Sequence, residues 1–220
     1  MPETVPPTEL EPSTHPGDLT DGAGAAVALA SSVVRSAAQR LAQVTKGGRR
    51  LDEHQVFAYD LAHATAGVHT AESALRYAAH GPTESRLAGA FAADVVADLV
   101  ARTAGREVEW GVEPGWHGEV AAFLAAGRDP ELLASLAETP GPAHLDADFE
   151  LVRDTFRRFA EEQIAPRAEH IHRSNADIDE EIIEGLAAMG GFGLSVPEAY
   201  GGFATGGEHD YLGMVVATEE

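Results

Sequence analysis

Apolar residues recur at helical spacing in long blocks along this chain, and glycine or proline closes nearly every block. Val27, Ala30, Val34, Ala37, Leu41 and Val44 form one stripe, which predicts a helix from about Ala23 to Lys46. Lys46 suits the negative pole of that helix, and Gly47-Gly48 stops it. Asp52, with Gln55 three residues on, opens a second helix that runs to His80, where Gly81-Pro82 ends it. Thr83 is positioned to cap a third, with a face of Leu87, Phe91, Val95 and Leu99, and Gly105 closes it. Connectors this short favour antiparallel neighbours, so the three helices are expected to form a bundle. Alanine lets their axes approach closely but buries little area, and a partner surface is therefore expected to support the bundle.

The pattern breaks at Arg106–Trp116, which holds both tryptophans between turn residues and reads as a cap on a core or as an interface. Short helices are predicted at Glu119–Ala126 and Pro130–Glu138, the second with Asp129 as cap and Pro130 at its first position. Thr139-Pro140-Gly141-Pro142 marks a linker, placed at residues 139–145. Beyond it Asp146 or Asp148 caps a helix with Phe149, Val152, Phe156, Phe159 and Gln163 on one face. Pro166 is expected to kink or end that helix. Ile178, Ile182, Leu186 and Met189 mark the next helix. A last one starts at Glu208 with Tyr211, Leu212, Val215 and Val216. It runs to Glu219-Glu220, at the pole where negative charge is unfavourable, and so reads as a helix cut in the middle. The predicted fold is all-α: a helical bundle over 23–138, then an incomplete second helical domain over 146–220.

Composition narrows the possible functions. A formal charge of −21 argues against electrostatic binding to nucleic acid or to an anionic membrane. No apolar run is long enough to cross a bilayer. Cysteine is absent, which removes disulfides and thiolate chemistry. Met1-Pro2-Glu3-Thr4 lacks the basic and apolar regions of a secretory signal, so a cytoplasmic location is expected. Residues 1–22 carry five prolines and little that is apolar, and read as a disordered acidic tail.

Candidate chemistry is sparse. His170 and His172 lie two apart, on different sides of a helix, and His63 and His69 lie six apart. No histidine pair has the i, i+4 spacing with a third ligand, so no metal site is expected. Glu161-Glu162, Glu180-Glu181 and Glu219-Glu220 are adjacent pairs whose side chains diverge by about 100° on a helix. Each reads as a solvated face, not a shared-proton dyad. Gly-x-Ser-x-Gly, Gly-x-Gly-x-x-Gly and phosphate-loop patterns are all missing. No catalytic residue is therefore assigned within the chain.

The most informative run is Met189–Gly202. Gly190 and Gly191 are suited to close a helix, Val196-Pro197 is extended, and Gly201-Gly202 permits a reversal. Phe192, Leu194, Val196 and Tyr200 are the expected apolar anchors. Gly190, Gly193, Pro197, Tyr200, Gly201 and Gly202 are the loop's structural residues on this reading. By themselves they make a helix-to-helix connector. The blocks before them add to this: Phe149–Phe156, Phe159–Glu162, Ile164-Ala165-Pro166, Ile182, Leu186 and Met189-Gly190. Together with Phe192–Glu198 and Tyr200-Gly201-Gly202, they resemble the N-terminal helical domain of the acyl-CoA dehydrogenases.

Leu51–Ala62, Arg86–Asp94 and Gly105–Val112 are similar to the helical extension of the methylsuccinyl-CoA dehydrogenase subgroup. The resemblance implies an FAD enzyme that oxidises (2S)-methylsuccinyl-CoA to mesaconyl-CoA. It implies a glutamate base beyond Glu220, hydride acceptance at the flavin N5, an electron-transfer flavoprotein as partner and a homo-oligomer. The flavin contacts are expected outside these residues, and the 220-residue chain alone is expected to be inactive. A non-catalytic helical interaction module and an acyl-CoA oxidase of the same fold remain open alternatives.

Overall fold

A computed structural model describes residues 16–138 and 141–220. The chain divides into two compact units, Met1–Gly141 and Pro142–Glu220. Both are helical, and among the described residues the only β feature is an isolated parallel bridge between Pro197 and Ala204. The fold is all-α.

In the first unit, α1 (Pro16–Val44), α2 (Gln55–Tyr77) and α3 (Pro82–Thr103) pack against one another. Short helices α4 (Glu107–Trp110), α5 (Ala121–Gly127) and α6 (Pro130–Glu138) complete it. The stripe read from the sequence is the buried face of α1: Val27, Ala30, Val34 and Ala37 are all inside. Asp129 caps α6, accepting from the backbone N–H groups of Glu131 and Leu132 at 3.0 Å.

Three expectations for this unit are corrected. The segment before Ala23, read as part of a disordered tail, is helical from Pro16, and Leu19 is buried. The physical reason is glycine at two facing positions. A Cβ on Gly89 of α3 would lie 2.8 Å from Leu19, and one on Gly127 of α5 would lie 2.5 Å from the Ala93 Cβ. Leu19 fills the space that these glycines leave. The rest of the expected tail, residues 1–15, lies outside the described residues. On α3, the buried face is Ala88, Ala92, Ala93, Val96 and Leu99, while Phe91 is 39% exposed and Leu87 only half-buried. Because α3 touches α1, α2 and α5, small residues line its close contacts and the larger ones are turned outward. The expected Thr83 cap is not formed either; Gly81 occupies the N-cap, with no side-chain cap bond.

The tryptophan segment caps the core. Trp110 is fully buried with its ring centroid 5.6 Å from that of Phe57, and Arg106 lies over it at 6.0 Å. Its indole N–H makes no hydrogen bond among the described residues, so it contributes by apolar burial. Trp116, also buried, donates from Nε1 to Thr103 Oγ1 at 3.2 Å. Polar ties reinforce the helix contacts. Asp60 on α2 accepts from Arg102 (3.1 Å) and Arg106 (2.6 Å), and Ser31 on α1 donates to Glu72 on α2 at 2.5 Å.

In the second unit, Asp146 caps α7 (Ala147–Phe159) by accepting from the N–H groups of Asp148 and Phe149. A π-helical turn, Ala160–Ile164, joins it to α8 (Ala165–Ser174), where Pro166 occupies the first turn and its missing N–H costs nothing. Asn175, at φ 50°, ends α8. After α9 (Glu180–Ala188) comes the glycine-proline loop, then α10 (Glu208–Glu219). Ile178, expected to begin the face of α9, lies before the helix and is exposed. Phe149 is buried beneath α10, with its ring 5.3 Å from that of His209.

Candidate functional site

The loop between α9 and α10 is held by backbone hydrogen bonds, several of them made at glycines. Gly190, at φ 78°, turns the chain out of α9, and Gly193 N–H donates to Gly190 O at 2.9 Å. Pro197 is extended at φ −60° and ψ 145°, and bridges to Ala204. Ala204 N–H donates to Val196 O (2.9 Å), and Glu198 N–H to Ala204 O (3.2 Å). Gly201, at φ 85°, reverses the chain between these strands of contact. Gly202 then passes so close to the incoming chain that a Cβ there would sit 2.0 Å from Val196 O. No side chain fits at that crossing.

Tyr200, expected to anchor this loop, does not. Its side chain is 82% exposed, and only its backbone is engaged, donating to Pro197 O at 2.8 Å. Phe192 is exposed too. The ring that touches the loop's glycines is Phe203, itself 60% exposed, which lies against both Gly190 and Gly193. A Cβ on either glycine would come within 3.0 Å of it. Phe203 follows the glycine pair Gly201-Gly202 and lies outside the run Met189–Gly202. Its signal was there, in two glycines spaced to accept one ring.

Beside the loop is a cavity of about 280 Å³ lined by Leu194, Ser195, Pro197, Ala204, Asp210 and Tyr211, among others. Asp210 is its one carboxylate among the described residues, and it is fully engaged. It accepts from the N–H groups of Thr205 (2.7 Å), Gly206 (2.7 Å) and Gly207 (3.0 Å) at the start of α10. Partial desolvation acts to raise the Asp210 carboxyl, but the N–H donors outweigh it and hold it below its ordinary value. Such a group is a cap, not a proton shuttle. At the far end of α10, Glu220 accepts from Arg157 Nε (2.7 Å) and Nη2 (2.6 Å), and that bidentate pair holds its carboxyl low.

The predicted loop residues Gly190, Gly193, Pro197, Gly201 and Gly202 thus come together as one folded turn, with Tyr200 on its outside. The arrangement supplies shape and no acid–base pair. Among the described residues, no three histidines or carboxylates gather as a metal site would require. The cavity also does not fit a flavin dinucleotide. It is smaller than the roughly 300–1,000 Å³ typical of ligand pockets, and the N–H groups best placed to hold a phosphate are filled by Asp210.

Comparison with known proteins places this turn in context. Residues 146–220 match the acyl-CoA dehydrogenase N-terminal domain. Over 120 residues the chain is also 41% identical to (2S)-methylsuccinyl-CoA dehydrogenase from Cereibacter sphaeroides. That match covers 50% of this chain and 21% of the relative, so it spans about a fifth of the relative's length.

Proposed function

With residues 146–220 carrying an acyl-CoA dehydrogenase N-terminal domain, we propose that this chain is the N-terminal portion of an FAD-dependent acyl-CoA dehydrogenase. The domain match carries the reading. In such an enzyme the flavin supplies the redox chemistry and the protein supplies position and electrostatics. On this reading the base and the flavin contacts lie beyond Glu220. We further propose that the substrate is (2S)-methylsuccinyl-CoA, oxidised to mesaconyl-CoA. The similarity to the Cereibacter sphaeroides protein supports this choice. An electron-transfer flavoprotein is the proposed electron acceptor, and the assembly is proposed to be a homo-oligomer.

The surface of the second unit agrees with this role. Leu151, Ile178, Phe192, Phe203, Tyr211 and Val215 are all exposed on a unit of fewer than eighty residues. Such exposed apolar side chains are available for other protein to cover. A second reading, a non-catalytic helical interaction module, draws on the same surface and on the lack of an acid–base pair among the described residues.

The enzyme reading is tested on the complete gene product. It is expected to purify with flavin and to lose its flavin absorbance on anaerobic mixing with (2S)-methylsuccinyl-CoA. Colour should return with an electron-transfer flavoprotein and not with oxygen. Absence of flavin would favour the module. Reduction by other acyl-CoA thioesters but not this one would remove the substrate assignment, and rapid reoxidation by oxygen would point to an oxidase.

A further inference from the structure

Acidic residues are not evenly spread along this chain. It has 36, enough for about five in any thirty residues, yet residues 22–51 contain none. The same stretch carries five of the chain's 15 cations: Arg35, Arg40, Lys46, Arg49 and Arg50. Arg50 is neutralised by Glu53. Among the described residues, the other four have no carboxylate partner, and all four are exposed. They lie on the C-terminal half of α1 and in the loop that leads to α2. Cations at a helix C-terminus are favourable for the helix itself, but that accounts for the last turn and not for Arg35 or Arg49.

This basic stretch borders a cleft of about 520 Å³, within the size range of small-molecule sites. Val44 and His54, the residues on either side of the loop that carries Lys46 and Arg49, both line the cleft. Phe57, Val44 and Val108 supply apolar surface, and Arg40 and Arg106 supply charge. Two carboxylates share the lining and are both engaged: Glu109 accepts from Arg106 Nε at 2.7 Å, and Glu107 from Gly105 N–H at 3.1 Å. Arg106 is also held by Asp60, and among the described residues Arg40 has no carboxylate partner. Lys46 sits at φ 53°, followed by Gly47 at 69° and Gly48 at 89°. The position would suit glycine better, yet it carries the chain's one lysine.

We infer that this cleft is a binding site for a phosphorylated organic molecule of nucleotide size. Arg40, Lys46 and Arg49 meet its phosphates, and Phe57, Val44 and Val108 receive its body. A polyanion suits a patch of unpaired cations at the edge of an otherwise acidic chain, and the apolar wall favours an organic anion over a bare one. The site lies wholly in the first unit and does not depend on the dehydrogenase reading.

The test titrates the 220-residue chain with ATP, with tripolyphosphate and with adenosine, by calorimetry. ATP is expected to bind more tightly than either of the others, with an affinity that falls as salt is raised. Arg40→Glu and Lys46→Glu should each weaken it by about tenfold or more, the scale of a charge-assisted hydrogen bond. Because Lys46 is the sole lysine, an amine-reactive reagent followed by peptide mass spectrometry reads the site in the unaltered protein. ATP should protect Lys46 and adenosine should not. No heat with ATP at millimolar concentration together with no protection of Lys46 overturns the proposal. Equal binding of tripolyphosphate and ATP removes the cleft from it, and undiminished binding by both variants removes the cations.

Discussion

The first unit encloses a continuous apolar cluster, whereas the second buries few of its large apolar side chains fully. One continuous cluster runs through the first unit from Leu19 to Phe123, with Trp110, Leu99, Val68 and Val96 almost wholly inside. In the second, the described buried apolar residues are Phe149, Ile182 and Val216, and exposed aromatic and aliphatic side chains outnumber them. Both units are made of helices and each has an aspartate cap, Asp129 in the first and Asp146 in the second, so local signals do not separate them. What differs is whether each apolar face meets another. Most helical stability in proteins comes from such meetings and not from propensity. The first unit is therefore expected to hold the fold of the chain, and the second to depend on further protein surface.

The largest effect expected from a single change is in the first unit's core. Trp110→Ala should destabilise it by about 3–5 kcal/mol, the range for removing a large buried aromatic. Trp110→Phe should cost clearly less, because the indole N–H has no partner among the described residues to lose. Urea unfolding followed by circular dichroism checks both. If Trp110→Ala costs no more than an exposed change such as Val108→Ala, the enclosed core is wrong as described.

A smaller effect is expected where the second unit is well made. Gly202→Ala forces a Cβ onto the Val196 carbonyl, which the backbone must move to relieve. A cost of about 1–3 kcal/mol is expected, on the scale of overpacking. Tyr200→Ala should change stability by less than about 0.5 kcal/mol, as surface substitutions do. Equal losses from the two would restore Tyr200 as the anchor.

The smallest effect concerns pH. Hydrogen bonds from Ser31 and then His69 hold the Glu72 carboxyl below its ordinary value of 4.5. A carboxylate lowered in the folded state lends stability above its unfolded pKa and loses it as pH falls through the folded one. The α1–α2 tie should therefore be intact near neutrality and fade below about pH 4.5, more weakly in the Glu72→Gln variant. Glu72 is more than a third exposed, so solvent screening keeps the contribution modest. A steeper acid loss in Glu72→Gln than in the parent would contradict this assignment.

Much of the fold was legible because helices announce themselves locally. The α1 stripe, the Asp129 and Asp146 caps, and the turns at Gly190 and Gly201 all depend on residues within a few positions of one another. What was missed depends on partners distant in sequence. Nothing near Leu19 says that Gly89 and Gly127 leave room for it, so α1 was started too late. The face of α3 was misjudged because large residues draw attention, while three neighbouring helices demanded small ones at Ala88, Ala92 and Ala93. The loop failed in the same way: Tyr200 is conspicuous, but it is Phe203 that two glycines accommodate. No local pattern revealed the absence of acids over residues 22–51, which becomes visible only against the composition of the whole chain.

The contrast between the units is tested most directly by hydrogen–deuterium exchange of the intact 220-residue chain, read by mass spectrometry of its peptides. Amides of α1, α2 and α3 should be protected up to the global stability, while those of α7 to α10 should exchange orders of magnitude faster through local opening. Equal protection across α1–α3 and α7–α10 would mean that the second unit needs nothing further to be stable, and would contradict the account.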